Sequence, residues 1–168
     1  MEIERIIASR RSIRQYEARR VEKEKIKGIL YAGLQAPSGK NGQPWNFIIV
    51  QEDKQLLQKL SGCTIYMDFV GTADALVLVF LKKSASYHYV KDVQAIGACI
   101  ENMLLQATAY GLGSCWIGEI LNKEQQVKEL LDLDADLELM AIITLGYPRN
   151  NTPSPRKKSL SDCVIKTL

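Results

Sequence analysis

The sequence has little of the material from which most catalytic and metal sites are built. It contains one histidine, His88, and four cysteines that form no Cys-x-x-Cys pair. A single histidine leaves too little for a histidine-based metal site or a Ser-His-Asp triad. Widely spaced cysteines argue against a zinc site or a disulfide framework. We therefore predict no metal site, and we expect the cysteines to be reduced and mostly packed in the core.

The chain also lacks strong charge of one sign and long apolar runs. Its formal net charge is +3, with a pI near 8.6, which is too mild to indicate a nucleic-acid partner. The longest apolar run, at 75–81, is too short to span a bilayer, and the N-terminus is charged. We expect a cytoplasmic protein without nucleic-acid or membrane partners. Its 168 residues predict one domain, 1–168, that buries roughly 70% of its unfolded surface.

Hydrophobic periodicity predicts a mixture of helices and strands. The predicted helices are 2–10, 22–35, 53–60, 90–110 and 123–131, and the predicted strands are 47–50, 75–81, 114–117 and 137–145. Because this order has no regular βαβ repeat, it predicts an α+β fold with a central mixed or antiparallel sheet flanked by helices. The strands at 47–50 and 75–81 lack polar alternation, so both are predicted to be covered on both faces.

Two segments are candidates for contacts with a second chain. Small residues at 97–99 on the long helix would permit close approach of another helix, as in a dimer core, although the central helix of a monomer would look similar. The segment 148–168 combines prolines and basic residues with a return of apolar residues at its end. It predicts an extended C-terminal arm that packs on another surface; a floppy basic tail is the alternative.

Arginine is concentrated where the first helix should end. Arg10, Arg11 and Arg14 lie within five positions, together with Ser12. Guanidinium groups are planar donors suited to phosphate or to the carbonyl oxygens of an electron-poor ring. A polar loop at 36–45 adds Ser38 and exposed backbone amides that can satisfy a ring edge. Together these features predict a flavin site.

Two glycine motifs do not indicate a nucleotide site. Gly111 and Gly113 followed by Gly118 fail the dinucleotide pattern G-x-G-x-x-G. The Gly39-Lys40 pair lacks the first glycine and the Ser/Thr of a phosphate loop.

Four motifs, in this order, closely resemble the nitroreductase family of FMN-dependent oxidoreductases. They are Arg-Arg-Ser-Ile-Arg at 10–14, Pro-Ser-Gly-x-Asn-x-Gln-Pro-Trp-x-Phe at 37–47, Gly-Leu-Gly-Ser-Cys-Trp-Ile-Gly at 111–118 and Gly-Tyr-Pro at 146–148. The resemblance spans almost the whole chain. It implies an intertwined homodimer with two FMN molecules at the subunit interface.

The resemblance also implies which residues bind FMN. Arg10, Ser12 and Arg14 would hold its phosphate and pyrimidine edge, and Arg11 belongs to the same motif. The partner subunit would contribute a loop with Pro37, Ser38, Gly39 and Asn41, and Gln43 of the same loop is a further candidate contact. Gly39 stands where the family often has serine or alanine. The backbone of Ile117 and Gly118 would lie beside flavin N5, and Arg156 and Lys158 would supply basic phosphate contacts.

The function implied is NAD(P)H-dependent reduction of nitroaromatic, quinone or flavin-like acceptors by ping-pong hydride transfer. NADH or NADPH would be the transient donor, and the cofactor would carry the hydride, so no catalytic side chain is predicted. Two alternatives stay open at this point. The chain could be a flavin-binding or redox-sensing protein with little turnover, or a flavin-dependent dehydrogenase or oxidase.

Overall fold

The computed structural model describes residues 2–150, 153 and 157–168, and these residues form one antiparallel sheet between two helical layers. The helices are α1 (Ile3–Ser9), α2 (Lys23–Leu34), α3 (Lys54–Ser61), α4 (Met67–Val70), α5 (Tyr89–Ala109) and α6 (Glu124–Leu131). The strands are β1 (Trp45–Val50), β2 (Ala75–Lys82), β3 (Gly113–Ile117) and β4 (Leu137–Gly146). Short 3₁₀ turns occupy Gly39–Asn41, Lys83–Ala85 and Glu119–Lys123. The predicted α+β class is confirmed.

Strand order decides which strands are buried. The order β1-β2-β4-β3 places β2 and β4 inside the sheet and β1 at an edge. β2 is buried from Ala75 to Leu81, as its apolar run predicts. The prediction that β1 is also covered on both faces is wrong, because Ile49 is 45% exposed. An edge strand has a neighbour on one side only, and an apolar cleft of about 440 Å³ remains between β1 and the start of α2.

Side chains of β2 alternate between two apolar layers. Val77 and Val79 pack with α2 and α5 on one face, whereas Leu76 and Leu78 pack with α3 and α6 on the other. No helix in the described part of the chain is long and apolar enough to cross a membrane.

The small residues of α5 have neighbours within their own chain. A Cβ placed on Gly33 of α2 would lie 3.0 Å from Cys99 Sγ, so α2 and α5 are closely packed there. Gly97 lies beneath the ring of Trp116, at 3.7 Å by the same measure. Within the chain, Cys99 is thus approached by α2 and Gly97 by β3, and a dimer contact at 97–99 stays a prediction. Cys63, Cys99 and Cys115 are buried, as predicted, and Cys163 is exposed.

The C-terminal segment 157–168 is exposed along its whole described length. Its apolar side chains face outward, with Val164 47% exposed and Ile165 and Leu168 fully exposed. Lys158 is exposed, and Arg156 lies outside the described residues. Packing of the arm on another surface stays a prediction.

Candidate functional site

The arginine motif lies in an extended segment that is fixed to the edge of the sheet. After α1 ends, Ser12 forms a parallel bridge with Ser114 of β3, and Ile13 N donates to the Ser114 carbonyl at 2.9 Å. Tyr16 bridges Pro148 just beyond β4. Ile13 and Tyr16 are buried, while Arg14 between them is exposed. The segment is thus held on both sides of Arg14 by backbone pairing and apolar burial.

The side chain of Tyr16 anchors this segment to β4. Its hydroxyl donates to the Ile13 carbonyl at 2.8 Å and shares a hydrogen bond of 2.6 Å with Thr144 on β4. Burial raises the pKa of Tyr16 far above its ordinary value, although the bond with Thr144 opposes this. The phenol therefore stays protonated and keeps its donor role over the whole physiological pH range.

Arg10, Ser12 and Arg14 lie on or next to the segment that pairs with the outer edge of β3. Burial raises the pKa of Cys115, and Arg14, a hydrogen bond with Ser12, and Arg10 each act in the opposite direction. The three side chains predicted to hold FMN therefore all lie near this strand. Their combined charge makes the outer edge of β3 a place for an anionic or electron-rich ligand.

The three arginines of the motif make different contacts. Arg10 Nε lies 3.2 Å from Glu101 Oε1 on α5. Arg11 Nη1 donates to the carbonyls of Ala8, at 2.6 Å, and Arg10, at 2.8 Å, and so satisfies orphan acceptors at the end of α1. The Arg14 guanidinium lies 5.9 Å from the ring centre of Phe69. Arg14 Nη1 also donates to the Ser12 carbonyl, at 3.4 Å. The terminal nitrogens of Arg10 and Nη2 of Arg14 are thus available to a ligand, whereas Nη1 of Arg11 serves the helix end.

The end of β3 offers an open surface beside the arginines. Ile117 is buried, and no described atom lies within 4 Å of the position that a Cβ on Gly118 would take. The backbone of Gly118 has an ordinary φ of −88°. Neither backbone strain nor packing in the described part of the chain restricts this position, so the surface at Gly118 is open to close approach of another molecule.

The segment 64–69 connects the open surface at Gly118 with the surroundings of Arg14. Glu119, next to Gly118, accepts hydrogen bonds from the Thr64 hydroxyl at 2.5 Å and from Ile65 N at 3.0 Å. These bonds lower the pKa of Glu119. At its other end, the segment places Phe69 against Arg14, beside an open cavity of about 500 Å³. We call Arg10, Ser12, Arg14, Ile117 and Gly118 the arginine half-site.

The polar loop forms a second group of candidate residues, which we call the loop half-site: Pro37, Ser38, Gly39, Asn41 and Gln43. Ser38 organises it, because its carbonyl accepts from Asn41 N at 3.0 Å and its hydroxyl from Gln43 N at 3.1 Å. Lys40, Asn41 and Gln43 have positive φ values of 54°, 54° and 45°. Left-handed backbone at non-glycine residues costs roughly 1 kcal/mol each. This strained turn leaves Asn41 and Gln43 exposed.

The two half-sites lie at different points along α5. Gly39 packs against the ring of Tyr87, and Lys91 Nζ in the first turn of α5 lies 5.5 Å from the centre of the same ring. Arg10 instead pairs with Glu101. Lys91 and Glu101 are separated by roughly 15 Å of helix. The structure thus brings the arginine motif and the Ile117–Gly118 segment together and leaves the loop apart from them.

Several residues at these sites belong to no recognisable sequence motif. Glu101 and Glu119 are two of the chain's many acidic residues, and only the fold shows that Glu101 lies beside Arg10 and that Glu119 binds segment 64–65 next to Gly118. Tyr87 was visible as an aromatic residue next to His88, but its contact with Gly39 depends on packing.

The comparison with known proteins decides the family. The model of the nitroreductase family matches residues 7–64 and 58–147. The chain belongs to the nitroreductase family. An Archaeoglobus fulgidus relative, provisionally named NADH dehydrogenase/NAD(P)H nitroreductase, is 36% identical over 87% of this chain and 85% of its own length. A Desulfovibrio desulfuricans crystal structure, of a provisionally named nitroreductase in complex with FMN, has a TM-score of 0.95. It is 39% identical and covers 100% of this chain and 98% of its own.

Relatives of this chain differ in their named activities. A Thermotoga neapolitana relative, 27% identical over 89% of this chain and 90% of its own length, is named iodotyrosine deiodinase. The resemblance read from the four sequence motifs is confirmed at the level of family and fold. The variety of named activities leaves the electron acceptor to be argued from this chain's own site.

Proposed function

We propose that this chain is an FMN-dependent NAD(P)H oxidoreductase that reduces electron-poor aromatic acceptors such as nitroaromatics, quinones or flavins. The observation that carries the proposal is that the segment with Arg10, Ser12 and Arg14 pairs with β3, the strand that ends beside the open surface at Gly118. The FMN complex of the 39% identical structure supports the choice of cofactor.

The residues present fit the chemistry of FMN. Guanidinium groups suit a phosphate and the carbonyl oxygens of a flavin's pyrimidine ring, and Arg10 and Arg14 are available for both. Bound FMN would supply the hydride chemistry between NAD(P)H and the acceptor. Arg14 would stabilise negative charge on the ring, and the open surface at Gly118 would admit planar molecules. No side chain of the site needs to transfer a proton.

We further propose that the complete site is shared between two copies of this chain. The loop half-site lies roughly 15 Å along α5 from the arginine half-site, so a partner's loop would complete each site. Exposed apolar side chains on α1, α2, α5 and β3 offer a surface for that partner: Ile3, Ile7, Tyr31, Leu34, Val90, Val93 and Trp116. Apolar exposure on this scale is typical of an interaction surface. The exposed apolar arm at 160–168 would pack on the partner as well.

Flavin analysis followed by anaerobic titration tests the proposed function. The purified protein is reconstituted with FMN, dialysed, and titrated with NADH or NADPH without oxygen. Rapid bleaching of the flavin absorbance, and its return on adding a quinone or nitroaromatic compound, is the expected result. Bound flavin that does not bleach would favour a redox-sensing role, and net substrate oxidation without a nicotinamide would favour a dehydrogenase or oxidase. Failure to bind FMN would contradict the proposal.

A further inference from the structure

A carboxylate on α5 holds one edge of the Arg10 guanidinium. Glu101 Oε1 lies 3.2 Å from Arg10 Nε, and the two side chains are 44% and 24% exposed. Among the described residues, neither Nη1 nor Nη2 of Arg10 has a hydrogen-bond partner. The contact therefore uses the Nε edge and leaves the terminal pair of nitrogens, which can bind two phosphate oxygens at once.

We propose that Glu101 is a positioning residue that orients Arg10 for the phosphate of FMN. This inference rests on the proposed function. Arg10 follows the last residue of α1 and has a long side chain with high rotamer entropy. Glu101 lies in the middle of α5, whose neighbouring residues Ile100 and Leu104 are buried in the core. A carboxylate on this rigid helix fixes the guanidinium before the ligand arrives, which lowers the entropy cost of binding.

Whether replacing Glu101 weakens or tightens FMN binding shows whether this carboxylate positions Arg10 or competes with the phosphate. A carboxylate that merely neutralises Arg10 would compete with the phosphate and repel it, so its removal would tighten FMN binding. A carboxylate that orients Arg10 would instead make binding weaker when it is lost. Glutamine distinguishes the two roles, because its amide oxygen is able to accept a hydrogen bond from Nε but carries no charge.

The experiment measures the Kd of FMN and of riboflavin, which lacks the phosphate, for the parent, Glu101→Ala and Glu101→Gln. Glu101→Ala is expected to weaken FMN binding about tenfold, as for one lost charge-assisted contact, and to leave riboflavin binding within about twofold. Glu101→Gln is expected to stay within about threefold of the parent for both ligands. Glu24→Ala, which removes an exposed acid that pairs with Lys27 on α2, is the matched control and should change neither.

Three results would overturn the inference. Tighter FMN binding by both Glu101 variants would make Glu101 a competitor. Equal weakening of FMN and riboflavin by Glu101→Ala would indicate general damage to the fold rather than lost orientation of Arg10. A parent protein that binds neither FMN nor riboflavin would overturn the proposed function, and the inference with it. If the parent binds FMN tightly, either of the other two results overturns only the inference about Glu101.

Discussion

At the scale of single residues, Arg14 is the side chain on which flavin retention should depend most. It is exposed, and its neighbours Ile13 and Tyr16 are anchored in the core. Arg14→Ala should remove a charge-assisted contact worth ~1.5–3 kcal/mol and weaken FMN binding by roughly one to two decades. Fluorescence titration of FMN measures this, with Arg5→Ala on the exposed side of α1 as the control. If Arg14→Ala retains flavin through dialysis as firmly as the parent does, the role of Arg14 in FMN binding is refuted.

Gly39 and Tyr87 form a second testable pair. A Cβ on Gly39 would clash with the hydroxyl and ring of Tyr87 in the position that the ring takes here. Asp92 fixes the backbone beneath the ring, because its carboxylate accepts from the backbone nitrogens of Tyr87 and His88 at 3.1 Å. Gly39→Ala should therefore distort the loop and weaken FMN binding about tenfold.

The double variant tells us whether the Tyr87 ring is the obstacle. Adding Tyr87→Ala to Gly39→Ala removes the clash and should restore most of the FMN affinity. Parental affinity of Gly39→Ala alone would show that the ring moves aside freely, and absence of rescue would show that the loop itself rejects a side chain.

At the scale of elements, the attachment of segment 64–66 to the end of β3 should depend on pH. Hydrogen bonds from Thr64, Ile65 and Asn122 hold the pKa of Glu119 below its ordinary value. A carboxylate with a lowered folded-state pKa contributes stability above its unfolded pKa of about 4.3 and loses it as the pH falls through the folded value. Glu119→Gln should thus lower the thermal midpoint at pH 7, and the difference from the parent should shrink below about pH 4. A difference that is independent of pH would contradict this.

The elements themselves could be predicted from the sequence to a large extent. The spacing of Ile96, Ile100 and Met103 predicts α5 because a helix must bury one face, and the run of β2 predicts a fully buried strand. The exposure of Ile49 could not be predicted, because it depends on which strand forms the edge of the sheet. The helix α4 was also missed, since four residues show no periodicity.

The candidate site was predicted less completely than the elements. Local motifs indicated Arg10, Ser12, Arg14 and Gly118, and the bridge between Ser12 and Ser114 places the arginine segment along the strand that ends before Gly118. The pairing of Arg10 with Glu101 links positions that are distant in the sequence, so no local pattern could reveal it. The separation of the two half-sites likewise follows only from where each contacts α5.

At the scale of the whole molecule, the account rests on two chains completing each other's flavin sites. The exposed apolar side chains and the separated half-sites both support a dimer, and each can be tested with one pair of variants. Arg14→Ala damages the arginine half-site, whereas Asn41→Ala damages the loop half-site. If the site is shared, each variant alone damages one half of every FMN site in its own homodimer.

The most direct measurement is FMN retention after the two variants are co-produced in one cell with different tags and the mixed dimer is purified. Each mixed dimer should contain one site with both substitutions and one with neither, so about half of its sites should retain FMN with parental affinity. The separate homodimers should retain little. A mixed dimer that binds FMN no better than the two homodimers would show that both half-sites belong to one chain, and would contradict the shared site.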